Sequence, residues 1–387
     1  MKSLIKKFIP PFLLDWYHLG LAFLGAVLYR FPSRKLIIIG VTGTNGKTTV
    51  VNLATAILEE AGLKVASLSG IEFKINDKEW PNNLKMTMPG RFKIQKFFRQ
   101  AVKAGCQYAV LEVTSEGIKQ HRHQFINFDA AVFTNLAPEH IEAHKGFENY
   151  KKTKGKLFQA TKNIHIINLD DGNANYFWQF PAKKRLGYRL ADFPDLKIKL
   201  LGEFNKYNAI AAINVGLSQG ISFEICQKAV EEAEGIPGRM ELVVKEPFKI
   251  FVDYAFTPNA LEKVYQALKP QICVLGACGG GRDKWKRPVL GKIASKYCDK
   301  VIITNEDPYD ENPMEIINQV AGGAGGKAEK ILDRREAIRK SLEIAKSGDT
   351  VVITGKGCEP WLVEARGKKI PWDDRKIVKE EYEKLNL

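Results

Sequence analysis

Apolar residues occur along this chain in short unbroken runs, separated by longer stretches where polar and apolar positions interleave. The run Leu36–Ile39 predicts a strand covered on both faces, and after it Lys64–Leu68, Tyr108–Val113, Ala130–Thr134 and His165–Asn168 predict further strands. Helical stretches fall between them, the first being Thr49–Leu58, which stops near Gly62. This alternation predicts an α/β domain over residues 36–237 with a mostly parallel sheet and helices on its faces. A second set of runs, Ile250–Asp253, Ile272–Gly276, Val301–Thr304 and Thr350–Thr354, alternates with helical stretches after Pro258, Pro288, Pro313 and Arg334. It predicts a second, doubly wound α/β domain over residues 238–387, entered around Gly235-Ile-Pro-Gly238.

Residues 1–35 follow neither pattern. From Phe12 to Phe31 the chain is apolar nearly all round, interrupted only by Asp15, His18 and Arg30, and Lys2, Lys6 and Lys7 precede it. Its length suits a membrane span. Its aromatic content and flanking cations suit a helix lying in a membrane interface, and a helix packed on the body of the protein is the third reading. A secretory signal is disfavoured, because a strand and a candidate catalytic loop follow at once.

That loop is Gly43-Thr-Asn-Gly-Lys-Thr-Thr49. Its glycines let the backbone turn and aim successive N–H groups at an anion, Lys47 adds a positive charge, and Thr48 opens a helix with a hydroxyl suited to Mg²⁺. The general phosphate-loop pattern fails at its first glycine, where this chain has Val41. In sheets of this kind ligands bind beyond the carboxyl ends of the strands. Glu112, Thr134-Asn135, Asn168 and Asp170-Asp171 fall there. Two further Gly-rich turns, Gly276–Arg282 and Gly355–Gly357, follow strands and are candidate anion sites, whereas Gly322–Gly326 reads as a flexible turn. The formal net charge of +15 suits anionic partners such as nucleotides, phosphorylated substrates or an acidic membrane surface. No nucleic-acid motif accompanies it. Six scattered cysteines without a Cys-x-x-Cys pair indicate free thiols in a reducing cytosol and argue against zinc.

Taken in order, the motifs resemble the Mur ligase family, most closely its muramoyl-tripeptide synthetases, from Leu36 to the C-terminus. The resemblance implies a P-loop-containing central domain, a Rossmann-like C-terminal domain, and an ATP-dependent ligase that adds one amino acid to a muramoyl peptide through an acyl phosphate. Gly43, Thr44, Asn45, Gly46, Lys47, Thr48 and Thr49 are similar to the family's own phosphate loop. Leu111-Glu-Val-Thr-Ser115 makes Glu112 the Mg²⁺ ligand beside Thr48, and Asn135-Leu-Ala-Pro-Glu-His140 makes His140 a ligand of a second Mg²⁺. Tyr150–Phe158 resembles the segment that bears a carbamylated lysine, which selects Lys154. By the same resemblance Asn208, Arg239 and Asp253 contact ATP. Thr87, Thr114, Gln120 and Arg122 match positions that hold the muramoyl dipeptide, and Glu306, Asp307, Gly355 and Glu359 lie where the incoming amino acid binds.

Departures from the family pattern shape the specificity. The histidine of the Asp-Tyr-Ala-His motif is Phe256, that of Gly-Lys-Gly-His-Glu is Cys358, and a motif that ends in arginine in diaminopimelate-adding members reads Glu306-Asp-Pro-Tyr309. Loss of that bidentate carboxylate partner disfavours diaminopimelate and leaves an amino acid such as lysine open. The family's uridine-nucleotide domain is expected to be lacking, since only about 35 residues precede the first strand. The expected partners are a muramoyl-peptide acceptor, a free amino acid and a membrane surface, with no nucleic acid, in the cytoplasm at the inner face of the membrane. Two rival readings are a related ligase acting on a folate or poly-amino-acid acceptor, and a membrane-associated nucleotide-binding scaffold without ligase activity.

Overall fold

A computed structural model describes residues 10–84 and 86–385, so Lys2, Lys6 and Lys7 lie outside the described residues. The chain forms two compact units. Among the described residues, the first comprises those up to 136 with 148–199 and 205–233, and the second comprises 137–147, 200–204 and those from 234 onward.

In the first unit the strands are β1 (Ile37–Thr42), β2 (Val65–Leu68), β3 (Glu72–Ile75), β4 (Lys78–Pro81), β5 (Tyr108–Glu112), β6 (Ala130–Phe133), β7 (Ile164–Asn168) and β8 (Lys184–Tyr188). They make one sheet in the order β4-β3-β2-β5-β1-β6-β7-β8. Pairing is parallel throughout except at β2–β3 and β3–β4. Strand β1 is central, pairing Ile39 with Val110 on one side and with Ala130 on the other. Its side chains are buried on both faces, as its unbroken apolar run predicts. Because β5 and β6 flank β1, the order reverses there and a crevice opens at the carboxyl ends of these three strands.

The N-terminal segment forms a helix over Pro11–Leu28. Its small residues Ala22, Gly25 and Ala26 are buried, and Gly25 lies close to the Arg91 carbonyl of the helix Arg91–Lys103. No helix of the described residues is long and apolar enough to cross a membrane, which removes the spanning reading. Polar Asp15 and His18 within the helix account for that, together with its breaking at Tyr29 and Arg30.

The second unit holds β9 (Glu241–Val244), β10 (Lys249–Asp253), β11 (Ile272–Leu275), β12 (Lys300–Ile303), β13 (Ala328–Lys330) and β14 (Thr350–Thr354), in the order β13-β12-β11-β14-β10-β9. Only β9 is antiparallel. Apolar clusters pack on both faces, one around Tyr265, Leu290 and Val320, the other around Phe248, Ile338 and Val378. The flexible turn expected at Gly322–Gly326 is not there. Gly322 and Gly323 belong to the helix Pro313–Ala324. A Cβ on Gly323 would come within 1.8 Å of the Pro288 carbonyl, and one on Gly291 within 1.9 Å of the Val320 carbonyl. These glycines mark the crossing of two helices whose backbones touch, a use of glycine that local sequence does not distinguish from a turn.

Candidate functional site

The phosphate-loop candidate leaves β1 at Thr42, and Lys47 begins the helix Lys47–Glu60. Gly46 takes a left-handed φ of 83°, and a Cβ there would lie 2.2 Å from Asn208 Oδ1. A Cβ at Gly43 would lie 1.9 Å from Thr134 Oγ1. The loop is braced by its neighbour strand: Thr44 N–H donates to the Asn135 carbonyl (2.8 Å), Asn45 N–H to Asn135 Oδ1 (3.0 Å), and Thr134 Oγ1 to the Asn45 carbonyl (2.7 Å). Such bracing holds the N–H groups in place before any anion arrives.

Two lysines meet at this loop. Lys47 Nζ donates to the carbonyls of Gly43 (3.1 Å) and Thr44 (2.8 Å), and Lys154 Nζ donates to the same Gly43 carbonyl (2.7 Å). Lys154 is only 2% exposed and its ammonium lies 4.7 Å from the Tyr150 ring centre. Burial first, then the Lys47 charge, hold the Lys154 amine well below the ordinary lysine range. On the opposite side, Thr48 Oγ1 donates to Glu112 Oε1 (2.6 Å), which also accepts from Gly70 N–H (2.6 Å). Thr87 Oγ1 would lie 3.5 Å from a Cβ on that same Gly70.

Beyond Glu112, Thr114 caps the short helix Ser115–Lys119 by accepting from Gly117 N–H (3.1 Å). Arg122 donates to Gln120 Oε1 (2.8 Å) and to the Met88 carbonyl, and Arg91 donates to the Gln120 carbonyl (2.6 Å). Burial lowers the pKa of Arg122. Its desolvated guanidinium sits in a frame of carbonyl and amide oxygens.

In the second unit Asp253 ends β10 and accepts from the N–H groups of Met240 (2.7 Å) and Ala255 (2.6 Å). Burial raises its pKa, against the pull of Arg239, whose guanidinium stacks 4.5 Å over the Tyr254 ring. Glu306, Asp307, Gly355 and Glu359 come together after β12 and β14. Lys356 Nζ bridges both Asp307 oxygens (3.0 Å each) and Glu359 Oε2 (2.5 Å), and Tyr254 OH donates to Glu359 Oε1 (2.7 Å). Cys278 Sγ donates to Glu306 Oε1 (2.7 Å). Glu306 Oε2 is buried without a partner, 2.4 Å from where a Cβ on Gly355 would stand. Burial raises the Glu306 pKa and is the first cause of the raised Tyr309 value, about 12.

Residues 41–190 match the Mur ligase middle domain and residues 238–357 match the Mur ligase, glutamate ligase domain. A UDP-N-acetylmuramoyl-L-alanyl-D-glutamate–2,6-diaminopimelate ligase of Syntrophomonas wolfei is 38% identical over 93% of this chain and 81% of that protein. The chain belongs to the Mur ligase family. A UDP-N-acetylmuramyl-tripeptide synthetase of Roseiflexus is 33% identical over 92% of this chain and 80% of its own length. A solved structure of a UDP-N-acetylmuramoyl-L-alanyl-D-glutamate–2,6-diaminopimelate ligase has a TM-score of 0.59 at 32% identity, covering 91% of this chain and 79% of its own. Mycobacterium tuberculosis folylpolyglutamate synthase has a TM-score of 0.73 at 17% identity, covering 87% of this chain and 92% of its own, and shares the fold. This Mur ligase is an ATP-dependent, ADP-forming amide ligase, as members of the family are.

Of the residues singled out in the sequence, the structure gathers Gly43 through Thr49, Thr87, Glu112, Lys154 and Asn208 around one loop of the first unit, with Thr114, Gln120 and Arg122 in the segment after β5. It gathers Glu306, Asp307, Gly355 and Glu359 in the second unit. His140 falls in the segment 137–147 that groups with the second unit, where Ile141 and Glu142 N–H groups donate to Asp283 (3.1 and 3.0 Å). Sequence reasoning passed over Gly70, Tyr150, Cys278, Tyr254 and Lys356. Tyr150, Tyr254, Cys278 and Lys356 lie inside motifs that were read, but their neighbours took the roles. It also passed over the buried pair Lys286–Glu139 (2.8 Å), in which the lysine stands 5.0 Å over the Phe256 ring. Phe256 thus offers that ammonium a π face where the family pattern has a histidine.

Mg²⁺ fits this donor set. Thr48 Oγ1 and Glu112 Oε1 are hard oxygen donors already within 2.6 Å of each other at the helix N-terminus. Among the described residues no cluster of three His, Cys, Asp or Glu could hold a metal. Mg²⁺ commonly takes one or two protein oxygens and completes its shell with water and phosphate.

Proposed function

We propose that this Mur ligase extends a muramoyl dipeptide by one amino acid in the cytoplasm, with its N-terminal helix against the membrane surface. The observation that carries the reading is the Thr48–Glu112 hydrogen bond of 2.6 Å, which joins the Lys47-bearing loop to the end of β5. In this reading the loop N–H groups and Lys47 hold the ATP phosphates, and Arg122 and Gln120 hold the acceptor, whose carboxylate attacks the γ-phosphoryl group. Thr48 and Glu112 would hold Mg²⁺, which when bound would neutralise charge on the phosphates. Asn208, Arg239 and Asp253 are assigned to the nucleotide by the family resemblance.

Lys154 is assigned as the carbamylated lysine. Burial lowers its pKa and so favours the neutral amine more than in an ordinary lysine, and the neutral amine is the form that reacts with CO₂; the carbamate oxygens would serve a second Mg²⁺. The incoming amino acid binds at Glu306, Asp307, Gly355 and Glu359, and its amine expels phosphate from the acyl phosphate. Asp307 and Glu359 share the bridging Lys356, Glu306 lies beside them with Arg334 and Lys356 as its cationic neighbours, and Tyr309 stands where the family resemblance places an arginine in diaminopimelate-adding members. That balance favours an amino acid with a cationic side chain, such as lysine, over diaminopimelate.

The test is phosphate release by the purified protein with Mg²⁺-ATP, a uridine-nucleotide-linked muramoyl dipeptide and single amino acids, with mass spectrometry of products. A tripeptide product formed with lysine and not with diaminopimelate is expected. A product formed only with diaminopimelate would overturn the specificity, and no product with any amino acid would overturn the uridine-nucleotide-linked acceptor.

A further inference from the structure

The helix Pro11–Leu28 carries an apolar face that its own unit leaves open. Leu13, Trp16, Tyr17, Leu24, Val27 and Leu28 are all exposed, Trp16 at 72% and Leu28 at 64%. With exposed Gly20 they recur at three- and four-residue steps and so form one stripe. Half of the large apolar side chains that the described residues expose sit on this one helix. A continuous apolar patch of this kind marks an interaction surface. The opposite face is committed, since buried Ala22, Gly25 and Ala26 pack it onto the helix Arg91–Lys103.

Charge selects the occupant. The flank of the stripe bears exposed Arg30, Arg34 and Lys35, and the supporting helix Arg91–Lys103 has five basic residues and no acidic one, with Lys93, Lys96 and Lys103 exposed. The one carboxylate of the N-terminal helix, Asp15, is bonded to His121 Nε2 (2.6 Å). A second copy of this chain would bring the same cations against each other about a two-fold axis. An anionic bilayer meets both features, taking the aromatic and aliphatic stripe at the headgroup boundary and the lysines and arginines at its phosphates. The stripe cannot reach across the bilayer, because no described helix is long and apolar enough to span one.

The same helix touches the acceptor segment. His121, which binds Asp15, lies between Gln120 and Arg122, and Arg91 at the start of the supporting helix donates to the Gln120 carbonyl (2.6 Å). Resting on the ligase reading above, we propose that the Pro11–Leu28 stripe docks on an anionic bilayer, and that the acceptor is a muramoyl peptide whose diphosphate is esterified to a polyprenol in that bilayer. The chemistry is that of the proposed ligase, and only the carrier on the far side of the sugar differs.

The experiment pairs flotation with turnover for the full chain and for a Trp16→Glu, Leu24→Glu, Leu28→Glu variant, whose three sites are exposed and outside the ligand-holding residues. Wild type is expected to float with phosphatidylcholine–phosphatidylglycerol vesicles, less with phosphatidylcholine alone, and less as salt rises. The variant is expected to keep its melting temperature, remain in the soluble fraction and retain turnover on a uridine-nucleotide-linked dipeptide. Its turnover on the vesicle-borne acceptor should fall about tenfold or more. A variant that floats like wild type, or a wild type that does not float, overturns the docking. So does a wild-type dimer that the variant converts to monomer without any vesicle binding, which would assign the face to a second copy. Equal turnover of both proteins on the vesicle-borne acceptor overturns the lipid carrier. Absence of product from both acceptors overturns the ligase reading and the carrier with it, while flotation still decides the docking.

Discussion

Lys47 and Lys154 donate to the same Gly43 carbonyl, yet their surroundings give them different chemistry. Lys47 stands at a helix N-terminus where a phosphate would meet it, whereas Lys154 is sealed against Tyr150 and its pKa is held well below the ordinary lysine range by burial and by the Lys47 charge. Replacing Lys154 with alanine is expected to lower ligase turnover by roughly a hundredfold or more, the scale of losing one electrostatic stabiliser in a site. Carbon-13 NMR after exchange with labelled bicarbonate should show a carbamate signal in the wild type that this variant lacks. A second residue-scale expectation concerns His123. Burial first, and the neighbouring His121 and Lys156 after it, lower its pKa to about 4 from 6.5. Above pH 6.5 the imidazole is neutral in both the folded and unfolded chain. As pH falls from 6.5 toward 4 the unfolded chain takes up a proton that the folded protein refuses, so stability is lost across that window. The gap corresponds to a contribution on the order of 3 kcal/mol. Urea denaturation at pH 7.5 and pH 4.5 should show the loss in wild type and a smaller one in His123→Gln. Lys154 illustrates what was legible at this scale: its place in a family motif named it, but nothing local to Tyr150–Phe158 says that this lysine, rather than Lys151, Lys152 or Lys156, points inward.

Among the elements, the central strands were the most legible, because strands buried on both faces carry an apolar run, as the middles of β1, β5, β6, β10, β11, β12 and β14 do and as β7 does apart from His165. The edges were not. β4 is exposed at all four positions and β8 begins with two exposed residues, so neither carries a periodic signal, and their pairing with β3 and β7 is supplied by the sheet. The glycine pair Gly322-Gly323 divides along the same line. Both are helical, but only Gly323 faces a neighbouring backbone, while a Cβ on Gly322 would meet nothing within 4 Å. Gly323→Ala is therefore expected to destabilise the protein by about 1–3 kcal/mol through overpacking against Pro288. Gly322→Ala is expected to be stabilising by roughly 0.5–1 kcal/mol, through the better helix propensity of alanine. Chemical denaturation of the two single variants checks the sign of each, and a matching sign would contradict the helix crossing.

For the whole molecule, ligand linkage gives a prediction that needs no knowledge of the acceptor. Mg²⁺-ATP at a hundred times its dissociation constant should stabilise the protein by about 2.7 kcal/mol, read as an upward shift in calorimetric melting. The Lys47→Ala protein should lose most of that shift at the same concentration. A wild type whose melting is insensitive to Mg²⁺-ATP would contradict the nucleotide site. The amino-acid sequence by itself determined the α/β class, the order of the central strands, the phosphate loop and the family. Each of these is written in contiguous residues, as apolar runs, turn glycines and motif spacing. Only the tertiary structure decided that Thr48 and Glu112 meet, that Lys154 is buried on Gly43, and that Lys356 ties Asp307 to Glu359. It also decided that residues 137–147 group with the second unit and that the N-terminal helix buries one apolar face while exposing the other. Those outcomes depend on which strands become neighbours and which side chains lose their water, and contacts between residues distant in sequence set both.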